Sequence, residues 1–350
     1  LIYVLVFAAL ILVSVAGKRW LYWPVLVGLF LFAAFRFEVG CDWTGYLNQF
    51  YVHGVSDFGD ALEGNDPLWV SLFIAQADLG LAYPWINVVS ALVFFGGIHL
   101  VARRQPDPLA YLILLFPVLI INMPMSGIRQ AMAIGIMCGA YVAFIDRRTV
   151  RFVIIVLLAS SIHSSAIVFL LLAPLVSGDI TQRRVITTAL LAVPGLAIVW
   201  MAGNAETATT RYVDTDIDAA GALFRVGLVA LTGIAFLLFL RQRWQTLPDD
   251  SYRLVLLGSQ MMLALLAMLP LSSVIADRLS YYLVPIQTMI LAGLPFLPFH
   301  SHRRTIAAAP YVALFVMLIV WTALSRHFND CYLPYQTWLG GMPPASRMLY

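Results

Sequence analysis

Ala307-Ala-Ala-Pro-Tyr-Val-Ala-Leu-Phe-Val-Met-Leu-Ile-Val-Trp-Thr-Ala-Leu324 carries no charged side chain. A helix through this run covers about 27 Å at about 1.5 Å per residue, close to the roughly 30 Å hydrocarbon core of a bilayer. A second stretch of the same length, Ile128 to Ile145, has one charge, Arg129, at its start. Over 350 residues 61% are hydrophobic and 11% charged, more apolar surface than a soluble core of this size buries. The chain therefore reads as an all-α, polytopic membrane protein with one membrane domain over residues 1–350.

Apolar runs between charged or Pro/Gly-marked breaks place spans at Leu1 to Ala16, Leu21 to Phe35, Trp85 to Ala102, Leu109 to Ile121 and Ile128 to Ile145. Further spans fall at Val185 to Met201, Val226 to Leu240, Leu254 to Leu271, Tyr281 to Phe299 and Thr305 to Leu324, which makes about ten. No cleavable signal pattern stands at the start, so the first run is expected to act as its own insertion signal. Lys18-Arg19, Arg103-Arg104, Arg147-Arg148-Arg151, Arg183-Arg184, Arg241-Arg243-Arg253 and Arg303-Arg304 hold 14 of the 21 basic residues. Basic residues are retained in the cytoplasm, so these clusters mark the inside loops. The opposite face then carries 13 of the 18 acidic residues.

Phe152 to Val176 is flanked by two of those inside clusters, so it must cross an even number of times. Ser160-Ser161-Ile162-His163-Ser164-Ser165 interrupts it near the middle, leaving about ten apolar residues on either side, too few for two full crossings. A re-entrant hairpin over 152–176, with His163 near its tip, satisfies both constraints. The same topology leaves two external segments, 36–84 and 202–225. In the first, Pro67 to Leu81 places Leu68, Leu72, Ala75 and Leu79 at helical spacing, as in an interfacial helix.

Ionisable groups at membrane depth are costly, which makes Arg36, Asp42, Arg129, His163, Asp277 and Arg278 candidates for function. Arg36, Gly40, Asp42 and Tyr46 form Arg-x-x-x-Gly-x-Asp-x-x-x-Tyr. Ser126 to Ala133 reads Ser-Gly-Ile-Arg-Gln-Ala-Met-Ala, Ile162 to Ala166 reads Ile-His-Ser-Ser-Ala, and Asp277, Arg278 and Tyr282 form Asp-Arg-x-x-x-Tyr. In this order the four motifs resemble the EpsG-like, Wzy-type exopolysaccharide polymerases, from Arg36 to about Pro285. The stretch past Thr305 adds only a generic span and tail.

The resemblance implies a GT-C-like integral-membrane glycosyltransferase that extends polysaccharide at the periplasmic or outer face of a bacterial inner membrane. It would transfer a growing glycan from a polyprenyl (undecaprenyl) pyrophosphate carrier to a lipid-linked repeat unit. A ligase moving finished glycan, or a flippase of lipid-linked oligosaccharide, is the alternative. Expected partners are the carrier-linked oligosaccharides, membrane lipids, and the flippase and chain-length regulator of the same pathway, with no nucleic acid. Neither metal nor cofactor is expected.

Arg offers planar, bidentate donors suited to phosphate, so Arg36, Arg129 and Arg278 are expected to hold the pyrophosphate. Arg36 also reads as an interfacial anchor. Arg129 follows the breaker-rich Asn122-Met-Pro-Met-Ser-Gly127, at a helix start where backbone N–H groups also favour an anion. His163 reads as a general base or as a histidine that scaffolds the tip. Asp42 and Asp277 are rival bases; Asp42 alternatively orients Arg36 or hydrogen-bonds acceptor hydroxyls, and Asp277 orients an arginine on another helix. Trp43, Tyr46, Tyr281 and Tyr282 read as sugar-stacking faces or as belt aromatics. The acidic run Asp214 to Asp218 lacks the ligand and glycine pattern of a calcium loop and reads as solvated. Cys41 and Cys331 share the external face, with their pairing left open.

Overall fold

The protein, seen in a computed structural model, is described at residues 1–64, 66–178, 181–183, 186, 188, 190, 221–247, 250–299 and 301–342. The expected span Val185 to Met201 lies, but for three residues, outside them, as do most of the external segment 202–225 and the run Asp214 to Asp218. Among the described residues there are helices and no strand, and the sole β contact is an antiparallel bridge between Arg36 and Thr337.

In chain order the helices are α1 (Ile2–Ala16), α2 (Tyr22–Ala34), α3 (Trp43–His53), α4 (Phe58–Glu63), α5 (Pro67–Asp78), α6 (Trp85–Ala102), α7 (Pro108–Leu115) and α8 (Ile128–Ile145). They continue as α9 (Thr149–Ile162), α10 (Ala173–Val176), α11 (Ala222–Ala235, prolonged by a π turn into Arg241–Trp244), α12 (Tyr252–Met268), α13 (Ser273–Gly293), α14 (Arg303–Leu324) and α15 (Arg326–Tyr332). Local chemistry sets many of the ends. α1 stops at Gly17 in the left-handed region, and α7 starts with Pro108 behind Asp107, whose carboxylate accepts from the Leu109 and Ala110 amides.

Trp85–Ala102, Ile128–Ile145, Ala222–Trp244, Ser273–Phe296 and Arg303–Leu324 are each long and apolar enough to cross a bilayer. The other expected spans on described residues coincide with shorter apolar helices, Ile2–Ala16, Tyr22–Ala34, Pro108–Ile120 and Tyr252–Met268. The protein is thus a helical membrane protein, with five helices of full span length among the described residues against about ten expected crossings. α14 makes the solvent plain: Val312, Val316, Ile319 and Val320 are exposed along one face, while Leu314 and Leu318 turn inward. An apolar stripe of that size is stable only against lipid or a partner.

Contacts group the described residues into two compact units. Unit 1 comprises residues 1–136, the four-residue segment Ser161–Ser164 and residues 302–350; unit 2 comprises 137–160 and 165–301. In unit 1, α2 packs on α6 and α7, while α1 lies against α7 and α14. The α6 and α8 backbones approach so closely at Gly97 and Gly135 that a Cβ on either would collide with the other helix. Ser90 Oγ seals the same contact by donating to the Ile128 carbonyl at 2.6 Å. In unit 2, α11, α12 and α13 pack mutually. Gln287 Nε2 donates there to Thr232 Oγ1 at 2.9 Å, which satisfies polar groups in an apolar bundle.

The interrupted stretch breaks where its serines stand. α9 ends at Ile162, His163 is non-helical, and a 3-10 helix runs from Ser164 to Leu172 before α10. With α9 about 21 Å long by its rise, neither arm has a full crossing's length.

One reading needs correcting. The tail beyond Thr305 is no generic extension, because residues 331–338 zip onto the Arg36 loop. Phe37 N donates to the Gln336 carbonyl and Trp338 N to the Phe35 carbonyl, both at 2.9 Å. The Tyr335 ring stacks on Phe32 with centroids 4.5 Å apart. Cys41 and Cys331 form a disulfide that ties the two segments covalently. His327 lies beside it, Nε2 at 3.1 Å from Cys41 Sγ. The three could approach one ion, but the disulfide leaves neither thiolate to ligate it.

Candidate functional site

Residues 122–129 bring the candidate residues of unit 1 together. Backbone hydrogen bonds from Ser126 N to Met123 O, Gly127 N to Asn122 O and Ala131 N to Gly127 O fold this breaker-rich segment into a tight turn that runs into α8. It presents three groups in succession: the Met125 carbonyl, the Ser126 hydroxyl and the Arg129 guanidinium.

The first receives Arg36. Arg36 is completely buried, and its Nε donates to Met125 O at 2.7 Å and to Val39 O at 3.0 Å. Its Nη1 reaches the Ala33 carbonyl at 3.4 Å, and Trp43 covers the guanidinium with its ring centroid 5.6 Å away. Burial disfavours the charge and lowers its pKa, though a guanidinium stays protonated regardless. The pyrophosphate role read from sequence does not fit this setting, because a fully covered guanidinium bonded to carbonyls has no face for a ligand. Arg36 instead pins the end of α2, the Val39 loop and the Met125 turn to one another.

Gly40 explains its place in the motif. Its φ of +101° suits glycine, and a Cβ there would collide with the Met125 carbonyl. Gly40→Ala should therefore push that carbonyl off Arg36 and destabilise the protein by about 2–4 kcal/mol, from strain and the lost contact together. Thermal unfolding in detergent reads the shift, and an unchanged midpoint would show that the turn adapts.

The second group receives Asp42. This carboxylate is exposed at the start of α3 and accepts from Ser126 Oγ at 3.3 Å. Among the described residues it makes no hydrogen bond or ion pair with Arg36, whose partners are carbonyls.

The third group, Arg129, is the second residue of α8. Its Nη1 donates to Asp66 Oδ2 at 2.7 Å, and the two side chains are 26% and 10% exposed. Its other nitrogens have no partner among the described residues, and Nε is buried. The second oxygen of Asp66 accepts the Ser164 amide at 2.7 Å. His163, the residue before, is buried. Sequence reasoning missed Asp66 because Asp66-Pro67 reads as an ordinary helix start.

Unit 2 carries Asp277 and Arg278. Arg225, which the sequence left without a role, grips Asp277 through Nε to Oδ1 at 2.7 Å and Nη2 to Oδ2 at 2.9 Å. Asp277 thus orients an arginine on another helix, and a carboxylate engaged at both oxygens is a poor proton acceptor. Arg278 is half-buried.

The four aromatic candidates are covered too. Trp43 packs between Phe37 and Tyr83, Tyr46 against Trp69, Tyr281 under Arg225, and Tyr282 against Phe169. Each is at most 8% exposed, so none has an open face for a sugar ring.

A family model described as the EpsG family matches residues 19–337. The match includes the Arg36 loop, the start of α8, the 161–164 segment and the tail through Thr337. No curated protein matches the chain, and no solved structure does.

Proposed function

This chain belongs to the EpsG family, and from that membership and the geometry of unit 1 we propose that it joins carrier-linked repeat units into an exopolysaccharide at the outer face of a bacterial inner membrane. The donor is a growing glycan on polyprenyl pyrophosphate. A hydroxyl of the incoming lipid-linked unit attacks the anomeric carbon, the bond to the pyrophosphate oxygen breaks with inversion, and polyprenyl pyrophosphate leaves. Arg129 binds that pyrophosphate, where its charge meets the charge developing on the leaving oxygen, and the positive end of α8 adds to the field. His163 takes the hydroxyl proton. Asp42 is the rival base, favoured by its exposure.

The observation that carries this reading is the Arg129–Asp66–Ser164 connection. It holds a partly exposed guanidinium at a helix start in register with the residue next to an imidazole. The disulfide supports the orientation, because Cys41 and Cys331 lie on the face with few basic residues and disulfides persist outside the cytoplasm.

Loss of the protein in cells that make the polymer distinguishes the alternatives. A polymerase leaves carrier-linked single repeat units to accumulate at the outer face. A missing ligase leaves full-length polymer on the carrier, and a missing flippase leaves single units at the inner face.

A further inference from the structure

We propose that Asp66 is a positioning residue that couples the pyrophosphate-binding arginine to the His163 tip. The inference rests on the polymerase reading for its consequence, but its geometry is independent of it. Asp66 stands immediately before α5, where an aspartate ordinarily accepts from the amides of the first turn. Here its carboxylate makes no such bond. Both oxygens are directed out of their own helix, one to Arg129 Nη1 and one to the Ser164 amide, each at 2.7 Å.

A carboxylate 10% exposed needs charged or amide donors to offset its lost hydration, and it has one of each. Both bonds are charge-assisted and short, so they resist displacement by water. The single side chain spans two segments far apart in the chain, the start of α8 and the break after α9. Rotation of Asp66 would release both the guanidinium and the backbone that carries His163. Arg129 has no other side-chain partner among the described residues, so Asp66 alone sets where its fork points.

Asp66→Asn tests this, because an amide can accept from one donor only while turning its own NH2 toward the other. Three variants, Asp66→Asn, Arg129→Lys and the double, are purified as folded full-length protein and assayed with polyprenyl-pyrophosphate-linked repeat units. Asp66→Asn should lower kcat and raise the donor KM, for a combined loss of about 30-fold. Added to Arg129→Lys it should cost less than about 3-fold more, since both changes break one connection. Asp66→Glu, which keeps the charge, should recover part of the activity.

Amide exchange over residues 162–166 gives a second readout that needs no turnover. Protection of this segment should fall in Asp66→Asn and return in Asp66→Glu. Multiplicative losses in the double variant, or unchanged exchange together with wild-type kinetics in Asp66→Asn, would overturn the inference. Absence of transfer by the wild-type protein would instead overturn the polymerase reading. In that case the exchange measurement alone decides whether Asp66 holds the tip.

Discussion

Replacing Arg129 by Lys is expected to lower glycan transfer about 100-fold while the protein still inserts and folds. The pair with Asp66 occupies one nitrogen of the guanidinium, and the rest of the fork remains for a second oxyanion. A lysine has one nitrogen on a flexible stem. It can keep the salt bridge to Asp66 or reach a phosphate oxygen, but it cannot hold both in a fixed plane. The loss should therefore fall on the donor, as a raised KM for the carrier-linked glycan and a lowered kcat as leaving-group charge goes unmet. Kinetics on detergent-purified protein of unchanged thermal midpoint measure it. Wild-type turnover would make Arg129 a structural partner of Asp66 and nothing more.

His163→Ala is expected to abolish measurable transfer, a loss of at least about 1,000-fold, with donor binding largely kept. His163→Gln separates two reasons for that loss. If the imidazole takes the proton of the attacking hydroxyl, an amide of similar reach is no substitute and Gln should be nearly as inactive as Ala. If His163 only completes the packing of the buried break between α9 and the 3-10 helix, Gln should restore much of the activity. Donor affinity and transfer are measured on the same folded variants. Substantial activity in His163→Gln would move the base to Asp42, whose exposed carboxylate is lightly engaged through Ser126.

The membrane elements were legible because lipid imposes a one-dimensional rule: long uncharged runs such as Ala307 to Leu324 have few other fates. The break at His163 was legible for the complementary reason, since a serine-rich hexapeptide interrupts an otherwise apolar stretch whose flanks have the same sign. Partners were not legible. Arg36 and its motif stood out, but sequence gives no means to see that three carbonyls and an indole enclose the guanidinium and leave a phosphate no open face there. Asp277 pairs with an arginine on another helix, yet nothing in the sequence singled out Arg225. Trp43, Tyr46, Tyr281 and Tyr282 have the composition of a sugar platform and the burial of a core. Around α5, Leu68, Leu72, Ala75 and the C-cap Leu79 have helical spacing, but the buried residues of the helix are Trp69, Phe73, Ile74 and Gln76. The neighbouring stripe, being aromatic, had more surface to bury.

Asp66 and the tail share a different obscurity. Asp before Pro has a sufficient local explanation, so its tertiary use leaves no trace in the pattern. Residues 331–338 lack any apolar period, and their attachment to the Arg36 loop depends on backbone pairing and a disulfide across 290 positions. Such contacts are set by the folded chain rather than by any window of it.

A protein that lengthens a glycan on its lipid carrier must turn single repeat units into longer carrier-linked products. Purified protein is incubated with polyprenyl-pyrophosphate-linked repeat units, and the carrier-linked products are resolved by length. The expected result is a ladder rising in steps of one repeat unit, with one polyprenyl pyrophosphate released per step and no ladder from Arg129→Lys or His163→Ala. Carrier-linked units that stay at a single repeat length with the folded wild-type protein would contradict it.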